Sequence, residues 1–393
     1  MTMLTRIAAA VLGRETRADP PSPTNSEALA PYLGNFGSGG RYVSAHTAEN
    51  LSAVLGAVGA ISTALSSLPA IVYRQDGADR IEAPAHPLAR LIAAGPNAWQ
   101  DWPDFIEWTA AQALLHGNAL AEIVTDGRGA VAQLVPIPWG NVSVQMLQNG
   151  RLVYDVVAYQ GPFGGTGRMR RLLDSEVVHI RDRSDDGLIG RSRLSRARAT
   201  FSTALAAHEY AAATYENKAA PSGALMVKGK ANGDALKRLR EQFEAAFAGP
   251  SRAARALVLD QETSWSQFQI MSPEDAELLA SRKFSVEEIA RIFNVPPPII
   301  QDYSHNTFTN SQAAGRWFAQ FTLLPWVKKL EAGFRRAVLG QGYSISLDLS
   351  EFMRGDDAAR WAAHKIAVDA GILDTDEIRE IEGWNPRGGR AAA

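Results

Sequence analysis

Three consecutive prolines, Pro296, Pro297 and Pro298, constrain the fold of this chain more than any other stretch. Each proline fixes its own φ at about −65°, lacks the N–H a helix needs and presses the preceding residue out of the helical region. The helical pattern "SPEDAELLASRKFSVEEIARIFNV" therefore has to end beside them. That pattern has a clear start, with Ser272 as N-cap, Pro273 at the first helical position and acids in the first turn. Beyond the prolines comes "QDYSHNTFTN", a run of amides and hydroxyls with almost no charge. A second helical pattern, "NSQAAGRWFAQFTLLPWVKKLEAGFRRAVLG", follows at once, with Pro325 in its middle, where a kink is expected. The chain must hold out a polar segment between two long helices.

The helix before the prolines has a counterpart upstream. "SRARATFSTALAAHEYAAATYENKAAPSG" reads as a long alanine-rich helix that stops near Ala220-Pro221, with few large side chains: Leu194, Phe201, Leu205, Tyr210 and Tyr215. Alanine lets neighbouring helices approach closely, so this helix is expected in an array, not as the centre of its own core. Between the two helices lies a compact block. "GALMVKG" is a strand, "NGDALKRLREQFEAAFAGP" is a helix with Leu236, Leu239, Phe243 and Phe247 on one face, and "ARALVLD" and "SWSQFQI" are two more strands. A β-α-β-β unit is thus inserted at the end of a hairpin of helices.

Residues 46–183 alternate differently and read as an α+β region. Leu51–Tyr73 is long enough to span a bilayer, but Leu51, Val54, Leu55, Val58, Ile61, Leu65 and Leu68 form one helical stripe, which suits a packed helix better than lipid. Pro69 ends it, a strand "AIVYRQ" follows, and two helices come next, one closing at Gly95-Pro96 and one opening at Trp102-Pro103-Asp104. The chain then becomes strand-rich, with hairpin turns at Asp126-Gly127 and Asn149-Gly150. At the far end, "GYSISLDLSEFMR" reads as a strand and "DDAARWAAHKIAVDAGILDTDEIREIEGWNP" as two short helices, the second capped by Asp374 or Thr375. Residues 18–45, rich in Pro, Ser, Gly and Asn, read as an arm, and the start "MTMLTRIAAAVLGRETR" has too short an apolar run and too little charge for an export signal.

Composition narrows the function. The net charge is −2, far from the basic balance of a protein that grips nucleic acid by its phosphates. There are no cysteines, so disulfides and thiolate metal sites are excluded. The seven histidines are scattered, and none pairs at i+3 or i+4. Neither a G-x-S-x-G elbow nor a G-x-x-x-x-G-K-[ST] loop occurs, and the Gly-rich "GPFGGTGR" lies between strands, not at the head of a helix. Asp185-Asp186-Gly187 is a turn without the further acids of a calcium loop, and His179 reads as a hydrogen-bonded structural histidine. No active site and no cofactor are expected. Basic residues do cluster at Arg181, Arg183, Arg191, Arg193, Arg196 and Arg198, with Lys228 and Lys230 in the inserted unit. Either they are ordinary surface charge, or symmetric repetition turns some of them into interface pairs or rings of positive charge.

From about residue 48 to 386 the chain resembles the portal proteins of tailed double-stranded DNA phages, in the branch with long non-contractile tails. The pieces that carry the resemblance are "ISTALSSLPAIVYR", "LLHGNALAEIV", "LVPIPWGNVSV", "VVHIRDRSDDGLIGRSRL", "YENKAAPSGALMV", "SPEDAELLASRKFSVEEIARIFNVPPPII", "TFTNSQAAGRWFAQFTLLPWVKKLE" and "AGILDTDEIREIEGWNP", with the portion "EEIARIFNVPPPII…TFTNSQ…F…TLLPW" the most specific. One departure is "PPPIIQD", with an extra proline and an acid where the resemblance would place a glycine soon after the hydrophobic pair. The short, Ala- and Arg-rich chain would suit a prophage or a gene transfer agent.

The resemblance implies an α+β portal fold: an arm (1–45), a wing (46–194), a first stem helix (195–221), a clip (222–269), a second stem helix (270–295), a tunnel loop (296–309), a kinked channel helix with a wing strand (310–356) and crown helices with a tail (357–393). It implies a homo-oligomeric ring, typically of twelve subunits, at one capsid vertex of the virion, assembled in the host bacterial cytoplasm. Its partners would be the major capsid protein, the terminase large subunit, a head–tail adaptor and double-stranded DNA passing without sequence readout, with no membrane. DNA-proximal residues would be Asp302, Tyr303, Ser304, His305, Asn306, Thr307 and Phe308, with Lys228, Lys230, Arg196 and Arg198 as channel or interface cations. Two other classes remain to be weighed: a hydrolase using His179 with a nearby acid, and a membrane-peripheral scaffold acting through the arm.

Overall fold

The structure, a computed structural model, describes residues 35–36, 42–77, 79–157, 169–217, 223–227, 263–267, 273–303, 308–353, 357–382, 384 and 387. Two compact units emerge. One draws on Val58–Gly190 and Asn294–Ala393, the other on Pro21–Ala57 and Arg191–Phe293.

Helix α1 (Ser52–Ser66) leads into the first unit. Its buried positions Val54, Val58, Ile61 and Leu65 keep the expected 3-4 spacing, whereas Leu55 falls off that stripe and is 57% exposed. No helix among the described residues is long and apolar enough to cross a membrane. Strands β1 (Ala70–Asp76) and β2 (Asp79–Glu82) form a hairpin. Helices α2 (Pro87–Ala94) and α3 (Trp102–His116) follow, and Gly117 ends α3 in the left-handed conformation with φ 80°.

Six strands come next: β3 (Asn118–Thr125), β4 (Val131–Ile137), β5 (Val142–Met146), β6 (Leu152–Val156), β7 (Arg170–Leu173) and β8 (Val177–Arg181). They make two antiparallel sheets, ordered β8-β3-β4 and β5-β6-β7. Leu120, Ile137 and Val177 of the first sheet cluster with Tyr154, Val156 and Leu172 of the second, and this is the core beneath the site described below. Strand β6 is buried on both faces, since Val153 and Asp155 alternate with Tyr154 and Val156 and all four are nearly inaccessible. Asp155 is satisfied across the sheet by its register partner Arg171, with Nε–Oδ1 2.7 Å and Nη2–Oδ2 2.8 Å.

In the second unit, α4 (Arg193–Arg196) and α5 (Arg198–Asn217) replace the single helix expected from residue 195. Ala197 leaves helical geometry between them, at φ −106° and ψ 34°. Strands β9 (Gly223–Val227) and β10 (Thr263–Gln267) pair antiparallel, and the rest of the 222–269 insert lies outside the described residues. Helix α6 (Pro273–Phe293) packs on α5. Phe201 and Phe293, both fully buried, meet edge to face at 6.4 Å, and Arg193 Nη1 donates to the Ile292 carbonyl at 3.2 Å. A cation at a helix C-terminus is favoured there because the last carbonyls lack intrahelical donors.

The chain returns to the first unit at Asn294. A 3-10 turn occupies Pro297–Ile300, and a long helical run follows: α7 (Phe308–Trp317), a π-helical segment (Phe318–Leu323) and α8 (Leu324–Ala337). The helical run continues through Pro325, and the turn just before it widens to π geometry. Helix α8 buries Trp326, Val327, Leu330 and Phe334 and packs on both β8 and β11 (Tyr343–Leu347). Strand β11 pairs with β1, so the third sheet is ordered β11-β1-β2. The expected strand "GYSISLDLSEFMR" stops early: Ser350–Met353 is a short helix, α9. Helices α10 (Asp357–Asp369) and α11 (Thr375–Ile381) close the chain, the latter with a capping box between Asp374 and Glu377.

Candidate functional site

The proline break is built from the residue before it. Asn294 takes a left-handed conformation with φ 59°, which asparagine tolerates better than most residues. Its side chain then faces the long helix. Pro325 has no N–H to give the carbonyl four residues back, which is that of Phe321. Asn294 Nδ2 donates to that carbonyl at 2.9 Å, and Thr322 Oγ1 donates to the Asn294 carbonyl. One asparagine thus satisfies the helix that Pro325 leaves short of a donor and fixes where the polar segment starts. Sequence reasoning did not single out Asn294, although an asparagine just past the last periodic residue is a helix-stop signal.

From there the path is set by main-chain bonds. The Ile299 N–H donates to Pro296 O at 2.9 Å, Gln301 N–H to Pro298 O at 3.1 Å and Asp302 N–H to Pro297 O at 3.0 Å. Gln301 is left-handed with φ 64°. This is the place where the resemblance led one to expect a glycine, and the backbone takes the conformation a glycine would supply, at a cost to a non-glycine residue of roughly 1–2 kcal/mol. The segment 296–309 is therefore not loop throughout: it begins with the 3-10 turn, and Phe308 is the first residue of α7.

Of the expected DNA-proximal residues, Asp302 is half-buried and Tyr303 is 62% exposed. Ser304, His305, Asn306 and Thr307 lie outside the described residues, as do Lys228 and Lys230. Arg196 ends α4 and Arg198 begins α5, both half-buried and both in the other unit from Tyr303.

A second knot of polar groups surrounds His179 on β8. Its Nδ1 lies 3.0 Å from Tyr154 Oη and its Nε2 3.0 Å from Asn118 Oδ1. The Asn118 oxygen is an acceptor only, so Nε2 carries the proton and Nδ1 accepts from the tyrosine. Trp139 stacks on the ring at 5.4 Å. Fully buried Asn118 also grips Gly190, with Nδ2 donating to Gly190 O at 2.7 Å and Gly190 N–H donating to Oδ1 at 2.8 Å. Both ring nitrogens of His179 are thus occupied by a tyrosine and an amide, not by the acid that the hydrolase reading required. Among the described residues no group of three or more His, Cys, Asp or Glu could hold a metal.

Burial, with Arg181 and Arg336 adding repulsion, pushes the His179 pKa down to about 3 from 6.5. A histidine held neutral in the fold but free to protonate when unfolded makes stability fall as pH drops below about 6.5, until the folded state also protonates near 3. At pH 4.5 this one group should cost about 2–3 kcal/mol relative to pH 7. Urea unfolding followed from pH 7 to 4.5 should therefore be steeper in pH by about one proton for the wild type than for His179→Gln. Equal slopes would show that His179 is not held neutral.

The described residues here form a buried polar knot, a helix propped by an asparagine, and a proline turn that leads to exposed Gln301 and Tyr303. Comparison with known proteins gives this architecture its family. The chain matches the phage portal protein family over residues 52–383 and belongs to it. It is 30% identical over 377 residues to the probable portal protein of Streptomyces phage phiC31, covering 90% of this chain and 79% of the phage protein. It is 28% identical over 345 residues to the portal protein of Enterobacteria phage HK97, covering 86% and 79%. Its fold matches a chain in the neck of a native gene transfer agent particle computed with C12 symmetry, with a TM-score of 0.59 and 23% identity over 98% of this chain and 100% of that one. The portal family is structural rather than enzymatic, and this supports the portal reading over the hydrolase and peripheral-scaffold readings.

Proposed function

We propose that copies of this chain close into a ring, of twelve subunits, at one vertex of a phage or gene transfer agent capsid, and that double-stranded DNA passes through its centre during packaging and ejection. The observation that carries this reading is the match, along 98% of the chain, to a neck computed with C12 symmetry. The near-neutral net charge of −2 agrees with it, because a channel that bound its cargo strongly would stall it. Residues 46–194 serve as wing, the helices flanking the 222–269 insert as stem, that insert as clip and the last two helices as crown. The clip is the surface for the terminase and later the head–tail adaptor, and the wing faces the major capsid protein. The ring forms in the host cytoplasm before it enters the virion.

Within this ring the segment from Asp302 to Thr307 projects towards DNA. Its base is held rigid by Asn294, the 3-10 turn and Gln301, while Tyr303 is exposed. Amides, hydroxyls and one aromatic ring can touch a duplex weakly, and Asp302 opposes tight binding to phosphate. Electron microscopy of the purified protein should show rings. Shortening the chain within 302–307 should leave the rings intact and reduce DNA filling or retention in particles. A persistent monomer, with no ring in assembled particles, defeats the channel reading; normal filling by the shortened variant defeats the role of the loop alone.

A further inference from the structure

The long helical run carries an apolar face that nothing among the described residues covers. Trp317 is 40% exposed, Phe321 50% and Leu324 39%. The Trp317 and Phe321 rings already touch each other in a tilted pair, 5.3 Å between centroids. Pro325 beside them is exposed too, and exposed Arg316, Gln320 and Lys328 flank the patch. Aromatic side chains at the centre of a patch with polar groups at its margin are the composition of a protein interface. Isolated exposed apolar residues are ordinary, but a contiguous rigid group of this kind is not.

These side chains cannot turn inward. The opposite face of the same stretch is filled by Phe318, Ala319, Thr322 and Leu323, all buried. The turn is also locked from outside, by Asn294 on the Phe321 carbonyl and by Thr322 on the Asn294 carbonyl. Asn294 and Pro325 together therefore hold Phe321 outward.

We infer that this face is a contact surface for a second copy of the chain, the neighbour in the ring. The inference rests on the ring reading above: a closed ring uses head-to-tail contacts, so each copy must present surface to a neighbour on both flanks. Double-stranded DNA is the poorer occupant. The patch is apolar, and of its two flanking cations Lys328 is already paired with Glu331 at 2.8 Å, whereas a duplex is held mainly through its phosphates.

The chain has no cysteine, so Phe321→Cys introduces a single thiol at the centre of the patch. In purified rings that thiol should react with a maleimide dye at least about tenfold more slowly than in dilute monomer, as for a side chain withdrawn into an interface core. The paired substitution Trp317→Ser with Phe321→Ser should abolish rings in electron micrographs while leaving the thermal midpoint of the monomer within about 2 °C, since both side chains are exposed. Equal labelling of ring and monomer overturns the inference. So does protection already present in the monomer, which would mean the chain covers its own patch, and so does protection that appears only when DNA is added. Wild-type protein that forms no rings overturns the channel reading first; rings whose position 321 stays open overturn this inference alone.

Discussion

Asp155→Ala should lower the stability of the protein by about 3–5 kcal/mol, a drop of roughly 10 °C in thermal midpoint for a unit of this size. The reason lies in where the pair sits. Asp155 is 3% exposed in a strand covered on both faces, and the Arg171 side chain is 10% exposed. The two exchange two parallel charge-assisted hydrogen bonds across neighbouring strands. The carboxylate raises the Arg171 pKa, chiefly through its hydrogen bond; without that partner the guanidinium still keeps its charge, because arginine is not deprotonated in proteins. Its desolvation is then no longer compensated. Removing both charges is a different experiment. Asp155→Leu combined with Arg171→Met takes the whole pair out of the core and should recover most of the loss, because a buried pair is rarely worth more than good apolar packing. Denaturant midpoints for wild type, both single variants and the double variant decide this. If the double loss equals the sum of the single losses, the two residues do not act as a pair. The exposed pair Arg74–Asp76 makes a useful contrast: at 3.7 Å with both side chains more than half exposed, its removal should be close to neutral.

The second large effect is expected at Gly190. A Cβ placed there would stand 2.0 Å from the Gly117 carbonyl oxygen and 3.0 Å from the Asp182 nitrogen, which are main-chain atoms. The Gly117 carbonyl already accepts from the Asp182 N–H at 2.8 Å, and Gly190 is clasped on both its polar groups by Asn118. An alanine must push one of these chain segments away, so the hydrogen bonds around Gly117, Asn118 and Asp182 are strained together. The loss should be about 3 kcal/mol or more. The chain passes from Gly190 to the Ser192 cap and α4, so the change should also reduce the yield of assembled rings. Gly140→Ala is the control: nothing lies within 4 Å of its built Cβ, and its φ is ordinary, so it should behave as wild type. A Gly190→Ala protein as stable as wild type would show that the close approach is not a constraint.

Much of this molecule was legible in local sequence. Helices α1, α3, α6 and α11 were marked by period, by proline in the first turn or by capping residues, and these signals act over a few residues. The hairpins at Asp126-Gly127 and Asn149-Gly150 were equally local. Misreadings occurred where a local pattern met a tertiary demand. Ser350–Met353, expected to prolong the strand, forms a helix, and Ala197 breaks what composition makes look like one helix.

At the site the division is sharper. The three prolines alone required that α6 stop and a new path begin, because the missing N–H groups and fixed φ are properties of those residues wherever they sit. The absence of cysteine likewise ruled out thiolate chemistry from the sequence alone. Which groups answer those breaks was decided by the fold. Asn294 reaches the Phe321 carbonyl, 27 positions on; Asn118 reaches Gly190, 72 positions on; and β11 pairs with β1 from the far end of the chain. A hydrogen-bonding group announces its capacity in sequence but not its partner, since the partner is set by backbone paths that meet only once the core has formed. Likewise, Trp317 and Phe321 read as ordinary members of a helical pattern. Only the tertiary structure, with its inward face already filled and its π turn locked by Asn294, left them pointing outward.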